Sequence, residues 1–392
     1  MTDVFGMDRV LIGMNRWLVA LLLILSVAAH GEEFAVGPGL QGDLEVAAGN
    51  GQFLVAWSDG QQVLARRFDD AGRALDPQPL VVGEGRFAQI ALASNGVEYF
   101  LLWSDNPTND LKRVRFRFLP TGGELSSTHT PVDGTADNTG QAPVAAAWNG
   151  VDFIAAWANL RVWNSATISA ALLRADGALT STVIARDLRT VYGLSISIGG
   201  DRDLILYTGF VGDTAGTLAF VDAQVVDRAL VSHATLRLDS LQYVSGCMGQ
   251  RVIVRPDAIW TGGDWIATWV QSTCFLGESN LLARVSRNGV LTSTRVVAPL
   301  RQGGVYSDLL LIGGEPALLT EFLDHGTPSE PVHLHLLSRT LAPRAILQPV
   351  KFLASTMLGP NRLVLVYNGG DGVTGTIQTV DLPPRLRRRA VR

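Results

Sequence analysis

Seven positions, spaced at similar intervals along the chain, offer the side chains most able to meet a ligand: Asp59, Asp105, Asn159, Gly209, Gln271, Asp324 and Gly369. Each stands two residues after an aromatic that closes a short apolar run. Five of the seven are polar and three are acidic. Gathered around one opening, they would present several hydrogen-bond acceptors at once, the chemistry that reads a sugar or a cation. Asp and Asn also favour turns for a local reason, because their side chains bond nearby backbone amides, and that role competes at each position. Tyr243, Phe275 and Trp163 lie in long loop-like segments and supply rings that either stack on a ligand or pack the loops down.

Other reactive residues are few. Cys247 and Cys274 are the two cysteines, and no CxxC or haem-attachment CxxCH occurs. In an exported chain that pair reads as a structural disulfide. His333-Leu334-His335 puts two imidazoles on one face of a strand, yet a metal needs at least a third ligand, so no metal site is expected. The chain has no Gly-x-Ser-x-Gly elbow, no His-Glu-x-x-His, no phosphate loop and no EF-hand loop. No catalytic residue is assigned, and no cofactor is expected.

The elements that must position these residues come from a recurring pulse. Phe53-Leu54-Val55-Ala56-Trp57 returns with closing aromatics at Trp103, Trp157, Tyr207, Trp269, Phe322 and Tyr367, intervals of 45 to 62 residues. Such periods mark solenoids, propellers or arrays. Ahead of each pulse stands a tight-turn signal: Gly49-Asn50-Gly51, Asn95-Gly96, Asn149-Gly150, Gly199-Gly200, Gly262-Gly263, Gly313-Gly314 and Gly359-Pro360-Asn361. These residues accept the positive φ of primed hairpin turns. A later turn recurs at Asp70-Ala71-Gly72, Gly122-Gly123, Asp176-Gly177 and Asn288-Gly289, whereas units four and six lack its glycine. One unit is therefore four strands: a short apolar one, the pulse, a half-apolar one carrying Arg66 and Arg67, and an outer one.

The pulse is apolar on both faces, so each four-stranded sheet must be covered on both sides. Sheets stacked face to face around an axis meet that demand. The seventh unit is one strand short at its end, and Phe34-Ala35-Val36 precedes the first unit as a spare strand. On these residues the chain resembles a β-propeller of the secreted, degenerate-repeat kind. It lacks the Trp-Asp ending of WD repeats, the kelch placement of the Gly-Gly doublet and the sialidase Asp-box. The expected fold is all-β: a seven-bladed β-propeller of four-stranded antiparallel blades, closed by the N-terminal strand. The resemblance also implies that loops after the second strands share one face with the connections between blades. The segments bearing Cys247 and Cys274 would then meet on that face, holding Tyr243, Phe275 and Gln271 beside the axial opening.

Composition agrees with this reading: 392 residues, 47% apolar, 17% charged, with 41 Gly and 17 Pro. Residues 1–31 read as a signal peptide, since Arg9 and Arg16 flank a 13-residue apolar run from Trp17 to Ala29, short of the ~20 residues of a spanning helix. Residues 32–382 form one propeller domain and 383–392 a basic tail. The exported chain is expected in the periplasm or outside the cell, as a monomer. Without the tail arginines (Arg385, Arg387, Arg388, Arg389, Arg392) the body past residue 31 carries 25 basic against 34 acidic residues, −9, which argues against nucleic acid. Two functions fit: a non-catalytic binding or scaffold propeller for a protein or glycan, which the missing catalytic motifs favour, and a polysaccharide hydrolase or lyase. An enzyme would need carboxyls converging ~5 to 9 Å apart in a cleft, one of them with a raised pKa.

Overall fold

The hairpins form for local reasons. In the computed structural model, which describes residues 32–86, 88–108, 111–136, 142–161, 165–173, 179–212, 218–242, 252–273, 277–301, 304–324, 327–328, 333–338, 340–341, 343–347, 353–369 and 372–380, the Asn95 side-chain oxygen accepts from the amides of Val97 (2.9 Å) and Glu98 (2.8 Å). Asn149 does the same for Val151 and Asp152. Gly96 and Gly150 supply the positive φ, 92° and 94°. Where the later turn lacks glycine, Leu230 and Leu341 take the left-handed place, each at φ 61°. Both are buried, and burying a leucine gains about 1.5–3 kcal/mol, enough to offset a left-handed cost of roughly 1–2 kcal/mol.

Extended strands from these turns build seven antiparallel sheets. Their first strands are Leu44–Ala48, Gln89–Ser94, Val144–Trp148, Thr190–Ile198, Val252–Trp260, Gly304–Ile312 and Ala354–Met357. The pulses lie in the second strands: Gln52–Ser58, Glu98–Thr108, Phe153–Arg161, Arg202–Val211, Asp264–Thr273, Glu315–Asp324 and Arg362–Asn368. First strands of successive sheets touch, and the first also touches the seventh, so the ring is closed. Blade six carries an added two-residue strand, Thr327–Pro328, against Leu323 and Asp324. Glu32–Gly37 pairs antiparallel with Val373–Thr379 and completes blade seven. The protein is a seven-bladed β-propeller closed by its N-terminal strand, with no helix among the described residues.

The core lies between blades. Seven apolar clusters are found among the described residues, each spanning two neighbouring blades, from Phe53 and Val364 at the seam of blades one and seven to Leu282 and Leu318 between five and six. Five pulse aromatics are buried in them, Trp57, Trp103, Trp157, Tyr207 and Trp269, and Tyr367 is buried beside them. Indole N–H groups reach across the seams, Trp57 to the Pro38 carbonyl (3.2 Å), Trp103 to that of Glu84 (3.0 Å) and Trp269 to the Asp239 carboxylate (3.0 Å). Third-strand arginines do likewise: Arg66 donates to the Val36 carbonyl (3.1 Å) and Arg117 to that of Val82 (2.6 Å).

Blade six departs from the sequence reading. Counted from the hairpin, the fifth residue after Gln52 is Trp57, and the fifth after Glu315 is Thr320, paired with Ser307 as Trp57 is with Leu44. The buried Thr320, and not Phe322, occupies the pulse-aromatic place. A two-residue displacement preserves the alternation of faces, so the apolar pattern alone did not expose it.

Candidate functional site

Each first strand turns one equivalent residue toward the ring axis. The register assigns that place to Glu45, Ala91, Ala145, Ser195, Asp257, Asp308 and Ala354, opposite Ala56, Leu102, Ala156, Leu206, Thr268, Leu319 and Val366 of the respective second strands. All seven line one axial cavity of about 290 Å³. Its carboxyls stand on one arc, from blades five, six and one. Alanines on the opposite arc leave the open volume.

Three aspartates in and beside this cavity tie neighbouring blades together. The Asp257 carboxylate accepts from the Leu309 amide of blade six (2.9 Å), the Ala258 amide (2.7 Å) and the Ser195 hydroxyl of blade four (3.4 Å). Asp308 accepts from the Ser355 hydroxyl of blade seven and shares a hydrogen bond with Asp257. Asp43 accepts from the Ile90 amide of blade two (2.9 Å). The Glu45 carboxyl makes no hydrogen bond or ion pair with the described residues. Ser307 also lines the cavity, its hydroxyl lacking a hydrogen bond among the described residues.

The electrostatics follow from this crowding. The carboxyls are half-buried, walled off from bulk water by strands yet open to the cavity. Burial pushes Asp308 up to about 8, and the charge of Asp257 adds to the rise. Burial takes Asp43 up to about 6 against the opposing pull of the Ile90 and Leu44 amides. Burial also raises Asp257 despite its donors, and it holds Glu45 well above the usual carboxylate range, with the fields of Asp43, Asp308 and Asp257 adding to it. No basic residue lines the cavity among the described residues. A visitor bringing O–H or N–H donors would therefore meet acceptors and relieve repulsion.

The residues predicted from sequence are distributed differently. Asp59 is half-buried and closes its own loop, accepting from the amides of Gln61 (2.8 Å) and Gln62 (2.7 Å). Asn159 accepts from the Trp157 indole (3.0 Å) and donates to the Ser169 hydroxyl (2.7 Å). Asp105 is 2% exposed, beside Arg113 (3.4 Å) and Arg115 (3.6 Å). Gln271 is half-buried opposite Ile253. Asp324 ends its strand, but the blade-six register gives the place equivalent to Asp59 to Phe322. Tyr243, Phe275, Trp163, Cys247 and Cys274 lie outside the described residues, so the expected disulfide and its ledge fall there too. In the histidine pair, His335 approaches the Thr320 hydroxyl (3.4 Å). No trio of His, Cys, Asp or Glu is arranged to hold a metal among the described residues.

Sequence reasoning missed the axial acids, although a signal existed. Glu45, Asp257 and Asp308 each stand four residues before the first residue of the hairpin turn or its flank (Gly49, Thr261, Ile312); Glu45 and Asp308 are lone charges in their strands, and Asp257 shares its strand with Arg255.

No protein-family model and no curated protein matches the chain. Similar solved structures include the SapL1 lectin in complex with alpha methyl fucoside, at 11% identity and a TM-score of 0.47 over 79% of this chain and 97% of that one. The alpha-L-arabinofuranosidase Arb93A from Fusarium graminearum is similar at 8% identity and 0.47, covering 74% and 92%. The Aleuria aurantia lectin, a six-bladed propeller, gives 12% and 0.42, covering 80% and 98%. Likenesses this remote carry no argument about ligand or activity. The fold and the site define a propeller with an acidic axial cavity, and no helix among the described residues is long and apolar enough to cross a membrane.

Proposed function

We propose that this is an exported, non-catalytic recognition propeller that binds a protein or glycan at its loop-bearing face, the axial cavity receiving donors from the ligand. One observation carries the reading: the cavity offers carboxyl and hydroxyl groups from blades four to seven and one, with no basic side chain lining it among the described residues. Glu45 in particular is left for a ligand group to pair with. Its export rests on the apolar run of residues 17–29, and a monomer is the simplest state of a ring that closes on itself and leaves only short outer edges.

A specific observation also speaks for a polysaccharide hydrolase or lyase, since carboxyls converge here and Asp308 is raised to about 8. The geometry weighs against it. Glycoside hydrolysis separates its two carboxyls by ~5 Å or more so that a sugar bond or water fits between them. Asp257 and Asp308 instead bond to each other, and each is also held by a neighbouring blade. The deciding experiment is a glycan array and pull-down with the exported protein and its Glu45→Gln variant, alongside reducing-end release from a polysaccharide panel. Retention that weakens in the variant supports recognition. New reducing ends would replace it with the hydrolase, and no retention on either screen would remove it.

A further inference from the structure

The acids of the axial cavity differ in what their oxygens have left to give. Asp257 is occupied by the Leu309 and Ala258 amides and the Ser195 hydroxyl, Asp308 by the Ser355 hydroxyl and by Asp257 itself, and Asp43 by the Ile90 amide. All of those partners belong to the fold. Glu45 has none, although its carboxyl is enclosed by protein except where it meets the cavity it lines. As the second residue of Leu44–Ala48 it stands at the end of its strand that meets the connections between blades, so it faces a visitor arriving from the loop-bearing face.

This division decides what the cavity recognises. A neutral hydroxyl gains one open acceptor, Glu45, beside aspartates whose oxygens the fold already uses. A positive charge gains the same hydrogen bond and also the fields of Asp43, Asp257 and Asp308, which already hold the Glu45 carboxyl above the usual range. No basic side chain lines the cavity among the described residues, so that field is not answered from within. A metal ion is a poor match: calcium takes about six to eight oxygens in direct contact, and no trio of His, Cys, Asp or Glu is placed to hold one among the described residues. A protonated amine needs less, because it carries one charge and three donors on one compact nitrogen. The space agrees. About 290 Å³, bounded opposite the acids by Ala91, Ala145 and Ala354, takes a side-chain-sized group and not an extended oligosaccharide.

We propose that the axial cavity is an ammonium site: a protonated primary amine enters from the loop-bearing face, donates to Glu45 and is held by the combined charge of Asp43, Asp257 and Asp308. The inference rests on the recognition reading above and narrows it from any donor to a cationic one. Such an amine has two sources, a free alkylamine or a lysine side chain of a protein partner, and the same chemistry receives both. Binding should also move protons. Asp308 keeps its proton up to about 8, and a cation beside it favours the ionised form, so at pH 7 the cavity gives up protons as it fills. The primary amine is already charged at that pH and gives up none.

The test is isothermal titration of the whole chain at pH 7 with propylammonium and with Nα-acetyl-lysine N-methylamide, in phosphate and in HEPES, with 1-propanol and tetramethylammonium as controls. At least one amine should bind, tenfold or more above either control, and its heat should differ between the buffers in the sense of proton release. The tighter of the two amines identifies the source. Glu45→Gln keeps the shape of the side chain and should weaken binding tenfold or more without lowering the melting temperature. Ala145→Leu fills the opposite wall, leaves every carboxyl in place and should weaken binding as much; if it does not fold, Glu45→Gln decides alone. No heat with either amine up to about 50 mM, equal affinity for a control, or unchanged affinity in Glu45→Gln overturns the proposal. Glycans retained on the array while both amines give no heat also overturn it and leave recognition by the cavity standing. No retention on the array or in the pull-down together with no heat from either amine removes both.

Discussion

Asp308 should make this protein less stable as pH rises, and Asp308→Asn should remove its share of that dependence. In the unfolded chain the carboxyl ionises near its ordinary 3.8, whereas in the fold it keeps its proton to about 8. Between those values the folded state holds the extra proton, so stability is full below about pH 4, falls through the window, and the loss is complete above about 8. A gap of about four units corresponds to at most roughly 5–6 kcal/mol. Asp308 shares its proton with Asp257 and faces an open cavity, so about 2–4 kcal/mol is the realistic share. Asparagine keeps the Ser355 hydroxyl as donor, offers an N–H to Asp257 and carries no charge at any pH. With an unfolding entropy near 2.1 cal/mol/K per residue over about 350 residues, the variant should melt about 3–5 °C above wild type at pH 8.5 and level with it at pH 4. Calorimetry across pH 4 to 9 measures this. Parallel curves for the two proteins, or a wild type that gains stability with rising pH, would refute the reasoning.

Deleting residues 32–40 removes the strand paired with Val373–Thr379 and leaves an open edge, so melting should lose cooperativity and the protein should aggregate. An unchanged melting curve would show closure to be dispensable. Gly375→Ala probes the same seam more gently, because a Cβ there collides with the Phe34 ring; it should lower the melting temperature, and Phe34→Leu in the same chain should restore part of it. Trp157 is 3% exposed, so Trp157→Ala should cost about 3–5 kcal/mol by chemical denaturation, and a cost below 1 kcal/mol would contradict its place in the core. A Cys247–Cys274 bridge would add about 3 kcal/mol by closing its loop, and non-reducing mass spectrometry of protein made in an oxidising compartment should recover the linked peptide.

The architecture was legible because its causes are local and repeated. Asn95-Gly96 and Asn149-Gly150 make their own turns, and the doubly apolar pulses demand cover on both faces, so the number of sheets and their stacking followed from counting. The spare strand at Phe34–Val36 was legible for the same reason, since blade seven lacked one partner. Blade six was misread by two residues because a shift of two keeps every side chain on its face. The site was less legible, because it depends on what crosses from one blade to the next. Asp59 and Asn159 are polar at the expected places, but the chain itself uses their oxygens, and no spacing in sequence records that. Asp105 looks like any turn aspartate until Arg113 and Arg115 close behind it. Glu45, Asp257 and Asp308 lie hundreds of residues apart at their extremes, and a charge in a largely apolar strand looks like an interruption. The sequence by itself determined the blades and their order, because turn chemistry and apolar alternation act over a few residues. Only ring closure, which turns seven first strands onto one axis, decided that those three acids share a cavity and a field in which each raises the cost of ionising the next.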